Sequence, residues 1–421
     1  MYNENITKIP ERSLAMSAYS LHIAYPIVSG SNFRFTHSGK DIFSSAYGNG
    51  ELTVSFVYSS HPDSPLTVRA SAVPGDAADL VVYPHRIELR VNGILLDEEW
   101  PWGDCMLSDA HAAEINTEIT VLPMPEEMTE PIVTGSFTGG EGWRPGNGVF
   151  VGDCMPYTDG ERYHVLYLKD RHHHRSKWHK GAHQWAHIST ADFLHWDEHP
   201  MAVEIDDPTE GSICTGSWIC ERGRHLLYYT VRMADGSSAP ICRSVSQDGY
   251  HFEKDRTFRF QLSEAYTGVS ARDPKIVRGD DGLLHMFVTS THRESEKGVL
   301  VHLISADGDN WSEAGCIYTS PDRDEPECPD YFRYGDCYYL IFSHHGTAQY
   351  RISDKPFTDW RLPENPHIPC EAVPKAAVWN GRILFTGFNR MNGYAGTLTF
   401  MEARPGDNGE LVFFPPAEAK K

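Results

Sequence analysis

The sequence predicts an all-β protein, a five-bladed β-propeller preceded by an N-terminal β-sandwich. Three observations carry that expectation. Short runs of alternating apolar and polar residues fill 14–110, as half-buried strands do. From about residue 146 a Tyr-, Leu- and Phe-rich strand recurs five times at a spacing of roughly 50–60 residues, in the range of propeller blades. After four of those strands come a Ser, an Asp and an aromatic residue, in that order.

In the N-terminal region, Leu52-Thr-Val-Ser-Phe-Val-Tyr58 and Ile87-Glu-Leu-Arg-Val-Asn-Gly-Ile-Leu-Leu96 alternate in this way. The Asn92-Gly93 pair inside the second is a two-residue hairpin signal. Pro and Gly punctuate the gaps, the pattern of a sandwich. Residues 111–145 are looser, with Leu122-Pro-Met-Pro125 and Gly139-Gly-Glu-Gly142, and read as a linker. The expected division is sandwich and linker over 1–140 and propeller over 141–421.

The five repeated strands are Tyr163–Tyr167, His225–Tyr229, Leu284–Val288, Tyr338–Phe342 and Ile383–Thr386. Turn pairs lead them: Asp159-Gly160, Arg222-Gly223, Asp281-Gly282, Tyr334-Gly335 and Asn380-Gly381. The trailing sets are Ser189/Asp192/Trp196, Ser246/Asp248/Phe252, Ser305/Asp307/Trp311 and Ser353/Asp354/Trp360. They read as tight turns pinned by side-chain hydrogen bonds, with the aromatic ring buried between blades. A blade cannot bury both its faces alone, so radial stacking is the stable solution.

The 421 residues carry a formal charge of −21. That excess of negative charge argues against nucleic acid and anionic membranes as partners. It is compatible with a small, neutral oligosaccharide. Aromatic residues make up 12% of the chain, with 10 Trp and 20 Tyr; such rings stack on sugars but also fill β cores. The nine cysteines are odd in number and form no Cys-x-x-Cys pair. With no basic segment followed by an apolar run at the N-terminus, they point to free, buried thiols in a reducing cytoplasm.

Three acidic residues stand in short motifs near the start of a repeat. They are Asp153 in Gly152-Asp-Cys-Met-Pro156, Asp273 in Ala271-Arg-Asp-Pro274, and Glu327 in Glu327-Cys-Pro-Asp330. The innermost strands of a propeller converge at one end of its axis, so residues far apart in sequence meet there. Two carboxylates flanking a sugar, with a third steering charge, are what glycosidic bond cleavage needs. Asp-Pro at 273–274 is also a common turn signal, and the motif order matters more than any one residue.

Taken together, these motifs resemble glycoside hydrolase family 32, the invertase, levanase and inulinase group, over residues 149–405. Gly152–Pro156 followed by Gly160–Tyr167 is similar to the family's nucleophile motif and next strand. His183-Gln-Trp-Ala-His-Ile-Ser-Thr-Ala-Asp-Phe-Leu-His-Trp196 resembles its His-Trp-Gly-His-Ala stretch, and Gly211–Ser217 its Phe-Ser-Gly-Ser segment. Arg272-Asp-Pro274 and Glu327-Cys328 match its two remaining signatures, and Tyr394–Thr399 resembles its closing blade.

The resemblance implies Asp153 as nucleophile, Glu327 as acid/base, and Asp273 as the residue that holds sugar hydroxyls and stabilises the transition state, with Arg272 beside it. Glu327 is expected to be held protonated by burial and by Asp153. Trp178, Thr215 and Gln184 fall in the segments that wall the family's sugar pocket. The implied reaction removes a terminal β-D-fructofuranosyl residue from sucrose or a short fructo-oligosaccharide, with retention and with no metal or organic cofactor. A retaining pair of carboxyls stands about 5–5.5 Å apart, an inverting pair about 6.5–9.5 Å. Transfer to a sugar hydroxyl, an inverting arabinofuranosidase- or xylosidase-like reaction, and a non-catalytic sugar-binding propeller are the other readings.

The sequence departs from the family in three places. Gly152 replaces the usual Asn, Leu168 the usual Gln, and Cys214 the Phe of Phe-Ser-Gly-Ser. The basic, His-rich stretch from Asp170 to His183 is unusual. Consecutive His172, His173 and His174 in a strand cannot all reach one metal ion, so a loop over the pocket is the expected role, with Arg171 and His173 as its sugar contacts. Trp185 is expected in the sheet core. Cys328 is expected to pack beside the acid/base without acting as a nucleophile. The sandwich is expected to brace the propeller, with sugar binding or assembly into a homo-oligomer as its other roles.

Overall fold

A computed structural model describes residues 20–58, 61–83, 86–99, 111–125, 135–145, 149–171, 182–207, 209–391 and 393–420. The described residues divide into two compact units, one over 20–125 and one from 135 onward.

The first unit holds two five-stranded antiparallel sheets. One is built on Leu21–Pro26, Ala77–Val82, Ile87–Val91, Ile94–Glu99 and Thr120–Val121; the other on Gly30–His37, Lys40–Gly48, Glu51–Tyr58, His61–Ser71 and His111–Ile115. Their alternating residues meet in one core that includes Tyr25, Phe33, Phe43, Phe56, Leu80 and Leu89. Asn92 and Gly93 both take positive φ (52° and 80°) and close the hairpin in which Val91 faces Ile94, as the sequence predicts.

The second unit is the five-bladed propeller. Blade 1 runs Val149–Thr158, Tyr163–Arg171, Gln184–Thr190 and His195–Val203, with Ser136–Thr138 on its outer edge. Blade 2 runs Glu210–Glu221, Arg224–Met233, Ile241–Ser246 and Glu253–Phe260. Blade 3 runs Arg272–Arg278, Leu284–His292, Lys297–Ser305 and Ser312–Thr319. Blade 4 has three strands, Glu327–Tyr334, Cys337–His344 and Thr347–Ser353, and isolated bridges to Arg361 and His367 stand in for a fourth. Blade 5 runs Ala372–Trp379, Arg382–Arg390, Gly396–Pro405 and Leu411–Phe414. A bridge between Val151 and Gly396 joins the first blade to the last and closes the ring.

Every interface between neighbouring blades has its own apolar cluster, which is why the blades stack. Met155 and Trp185 of blade 1 pack with Trp218 and Tyr229 of blade 2. Tyr228 of blade 2 packs with Met286 and Trp311 of blade 3, and Phe287 of blade 3 with Tyr331 and Leu340 of blade 4. Tyr339 and Ile341 meet Ile383 and Phe385, while Tyr163 and Trp196 meet Leu384 and Phe400.

Two expectations need correction. Residues 111–145 are not a plain linker: His111–Ile115 and Thr120–Val121 extend the two sandwich sheets, and Ser136–Thr138 edges blade 1. In blade 1 the turn is pinned by Thr190, not Ser189: Phe193 N–H donates to Thr190 Oγ1 (2.8 Å), and His195 N–H to Asp192 Oδ1 (2.7 Å). Blades 2 and 3 follow the predicted pattern, with Ser246 donating to Asp248 (2.8 Å) and Ser305 to Asp307 (3.1 Å). The cysteines among the described residues are free, but Cys220 and Cys316 are exposed. No helix among the described residues is long and apolar enough to cross a membrane.

Each innermost strand carries a bulge near its first turn of chain. The register slips between Val151 and Cys154, Ile213 and Gly216, Arg272 and Lys275, Glu327 and Asp330, and Ala372 and Lys375. A bulge re-aims the side chain it contains. Just after the second slip, a Cβ on Gly216 would stand 2.0 Å from Tyr228 O and 2.9 Å from the Trp185 ring. Gly216→Ala is expected to cost about 3 kcal/mol through overpacking against backbone, measured as a lower urea midpoint; unchanged stability would refute this account of the bulge.

Candidate active site

The bulges place Asp153, Thr215, Asp273 and Cys328 on four different blades, and hydrogen bonds draw their side chains together. Asp273 and Cys328 take positive φ (59° and 52°), as does Val373 in blade 5 (42°); each is followed by Pro. Such backbone is costly for residues other than Gly.

Asp153 is 9% exposed. Its Oδ2 accepts a hydrogen bond from Thr215 Oγ1 (2.7 Å), and its Oδ1 accepts one from the Tyr394 hydroxyl (2.8 Å). The Tyr394 oxygen in turn accepts from the Asp153 N–H (3.2 Å). Burial and the Asp153 charge push the Tyr394 phenol well up, so it stays a donor. The His183 ring lies 5.4 Å from that of Tyr394, and His183 Nε2 is 2.7 Å from Asp170 Oδ1.

Cys328 Sγ lies 3.4 Å from Asp153 Oδ2 and 3.3 Å from Asp273 Oδ2, and Cys328 N–H donates to the same Asp273 oxygen (3.0 Å). Burial, then the charges of Asp273 and Asp153, push this thiol well up. It is therefore a protonated donor between two carboxylates. Asp273, 3% exposed, is raised by burial; Arg272 pulls it down, Asp153 pushes it up, and Lys375 pulls it down.

Arg272 ties the rim together. Its Nη1 donates to Ser270 O (2.8 Å) and Glu325 Oε2 (2.6 Å), its Nη2 donates to Glu327 Oε1 (2.7 Å), and its Nε is 3.7 Å from Asp273. Burial opposes the charge on Arg272, but the three carboxylates outweigh it and hold the guanidinium protonated. Burial pushes Glu325 up, yet Arg272 and the Thr291 hydroxyl bring it below its ordinary value. The expected burial of Glu327 is absent: its side chain is 53% exposed.

The residue after each of the three prolines adds a second ring of contacts. Lys275 pairs with the buried Asp330 (2.6 Å), whose other oxygen accepts from Ala376 N–H (2.6 Å). Lys375, 2% exposed, donates to Gly216 O (3.2 Å).

Of the sequence-predicted residues, Asp153, Asp273, Thr215 and Arg272 belong to one hydrogen-bonded assembly, with Glu327 at its edge on Arg272. Gln184 is nearly buried and accepts from Ile205 N–H (2.7 Å). Arg171 ends its strand half-buried. Trp178 and His173 lie outside the described residues. Trp185 is fully buried, as expected, and donates to Cys214 O (2.9 Å). Tyr394, Lys375 and Glu325 are additions. The run Asp273-Pro-Lys275, Cys328-Pro-Asp330, Val373-Pro-Lys375 is the signal that would have found Lys375.

Residues 153–359 match the model of the glycosyl hydrolases family 32 N-terminal domain. The chain is 29% identical over 209 residues to sucrose-6-phosphate hydrolase of Escherichia coli, covering 44% of this chain and 39% of that protein. It is 33% identical over 180 residues to the Salmonella typhimurium protein of the same name, covering 39% and 37%. The solved sucrose-6-phosphate hydrolase of Lactobacillus gasseri superposes with a TM-score of 0.55 at 17% identity, over 69% of this chain and 64% of that one. The chain thus spans about two fifths of the length of these curated relatives. Over residues 153–359 the chain is thus similar to glycoside hydrolase family 32, from which it diverges.

Two outcomes follow from this geometry. Glu325→Gln is expected to lower stability at neutral pH by about 2 kcal/mol, the loss of charged hydrogen bonds. Because Glu325 is held below its ordinary value in the fold, that stability is present above the unfolded carboxylate range and is lost as pH falls through the folded one. The gap between variant and parent in thermal midpoint should therefore narrow in acid; a gap independent of pH would count against the pairing. Tyr394→Phe removes both hydrogen bonds that the hydroxyl makes with Asp153, to Oδ1 and from the N–H, and is expected to lower kcat about 10- to 100-fold with the fold intact by circular dichroism. An unchanged kcat would show that Asp153 does not depend on Tyr394.

Proposed function

We propose that this chain hydrolyses the bond to a terminal β-D-fructofuranosyl residue, in sucrose, sucrose 6-phosphate or a short fructo-oligosaccharide, with retention of configuration. The observation that carries this reading is the meeting of Asp153 and Asp273, from blades 1 and 3, at the Cys328 thiol, next in the chain to Glu327. The names of the Escherichia coli and Salmonella relatives add the phosphorylated disaccharide to the candidate substrates.

In this mechanism the Asp153 carboxylate attacks the anomeric carbon while Glu327 gives its proton to the departing glycosidic oxygen. A fructosyl ester on Asp153 results. Glu327, now a carboxylate, takes a proton from water, whose oxygen bonds to the same carbon and releases Asp153. Inversion at each step gives net retention. Thr215 and Tyr394 hold the two Asp153 oxygens before attack, so little reorganisation is needed. Arg272 fixes the Glu327 carboxyl, and Asp273 faces the sugar hydroxyls and the positive charge of the oxocarbenium-like transition state.

The test is a panel of sucrose, sucrose 6-phosphate, inulobiose and an aryl arabinofuranoside, with NMR of the first-formed anomer. Release of β-fructofuranose is expected, with Glu327→Gln and Asp153→Asn each slowed by a factor of 100 to 10,000 or more. Cleavage of the arabinofuranoside alone, an inverted first product, or sugar binding without hydrolysis would each overturn the proposal.

A further inference from the structure

Blade 4 carries a second cluster of chemically capable side chains that the hydrolytic mechanism does not use. His344 ends the strand Cys337–His344, and His345 opens the turn to Thr347–Ser353. Successive side chains of a strand point to opposite faces. Here His345 takes a φ of +50°, and the two rings come to lie 4.1 Å apart. Both then face Asp322 and Asp324, in the loop that precedes Glu327.

Donor atoms of Asp322, His344 and His345 all lie within 4.8 Å of one another. Asp322 Oδ2 is 3.0 Å from His345 Nε2, and Asp322 Oδ1 is 3.5 Å from His344 Nε2. Asp324 Oδ2 is 3.5 Å from His344 Nε2. Ligands about 2.1 Å from a tetrahedral ion stand roughly 3.4 Å apart, so the donor atoms are already close to that spacing. Imidazole with carboxylate suits zinc and its neighbours better than magnesium or calcium. Nearby contacts hold the set: Ser320 Oγ lies 3.0 Å from Asp322 Oδ1 and 2.8 Å from His344 Nε2, a hydrogen bond that the ion would replace, and the His345 N–H donates to Asp324 Oδ2 (2.6 Å). His344 is 8% exposed, whereas His345 and Asp322 are 62% and 48% exposed, which gives one anchored ligand and an open approach.

We infer that Asp322, His344 and His345 bind one divalent transition-metal ion of the zinc class, with water or Asp324 in the fourth position. The ion would clamp the 320–326 loop to the turn at 345–346. That loop continues through Glu325 and Glu327, so the clamp fixes the path of the chain into the innermost strand of blade 4. The inference stands whatever sugar the chain acts on.

The experiment uses the full, untagged chain, stripped with a chelator and titrated with zinc chloride by calorimetry, with elemental analysis after dialysis. One equivalent is expected, together with a rise in thermal midpoint that magnesium and calcium do not give. His345→Ala and Asp322→Asn, both at exposed positions, should weaken zinc binding at least 100-fold and abolish the shift in midpoint. No zinc binding by the parent, or binding that persists undiminished in both variants (as it would if the His-rich stretch from Asp170 to His183 held the ion), overturns the inference.

Discussion

The site rests on a sulfur placed between two carboxylates. Two like charges about 6 Å apart repel by about 3 kcal/mol at an effective dielectric of ~20, and burial adds to that cost. Asp153 and Asp273 both come within hydrogen-bonding distance of one protonated thiol, that of Cys328. A thiolate at that position would add a third negative charge, and burial together with the two aspartates keeps it from forming. Lys375 and Arg272 then supply the positive charge that lets Asp273 stay where it is. A thiol held protonated is a weak nucleophile, and its single proton can be shared with only one of the two carboxylates at a time.

Backbone geometry makes this possible. In a regular strand, Arg272, Asp273, Pro274 and Lys275 would alternate faces. The bulge and the left-handed residue break that alternation, so Asp273 and Lys275 can serve different contacts at the centre of the ring. The device recurs at Cys328-Pro329 and Val373-Pro374. Val373 is the informative case. A β-branched residue at positive φ is unfavourable, and it carries no polar group for chemistry. Its strain is tolerated because the same turn of chain delivers Lys375. The charges gathered at the centre of the ring are thus products of one repeated backbone irregularity.

How far the sequence could be read depends on what kind of contact each feature rests on. The blades were legible because the second strand of each is buried on both faces, and burial writes a continuous apolar run such as Leu284–Val288. His111–Ile115 was not, since it is almost wholly exposed and shows no alternation. Asp153, Asp273 and Glu327 were legible as ordered short motifs. Tyr394 was not: it lies 241 residues from Asp153, and only closure of the ring brings them together. Glu325 sat inside the charged run Asp322–Glu327, which looks like a solvated loop until Arg272 is seen to reach into it. The exposure of Glu327 was missed for a related reason, because a motif identifies a carboxyl but not the depth at which its strand begins.

Glycine at residue 152, where the resembled motif has Asn, has a steric consequence for how Asp153 is held. A Cβ on Gly152 would meet the Tyr394 hydroxyl at 2.8 Å and Leu168 Cβ at 3.2 Å. The room left by glycine at 152 is taken up by a tyrosine from blade 5, with Leu168 beside it. A side chain at 152 and a hydroxyl from 394 compete for one space, and here the hydroxyl occupies it. Since that hydroxyl both donates to Asp153 Oδ1 and accepts from the Asp153 N–H, it fixes the carboxylate to its own backbone. Gly152 and Tyr394 are in this sense one fitted pair beside Asp153.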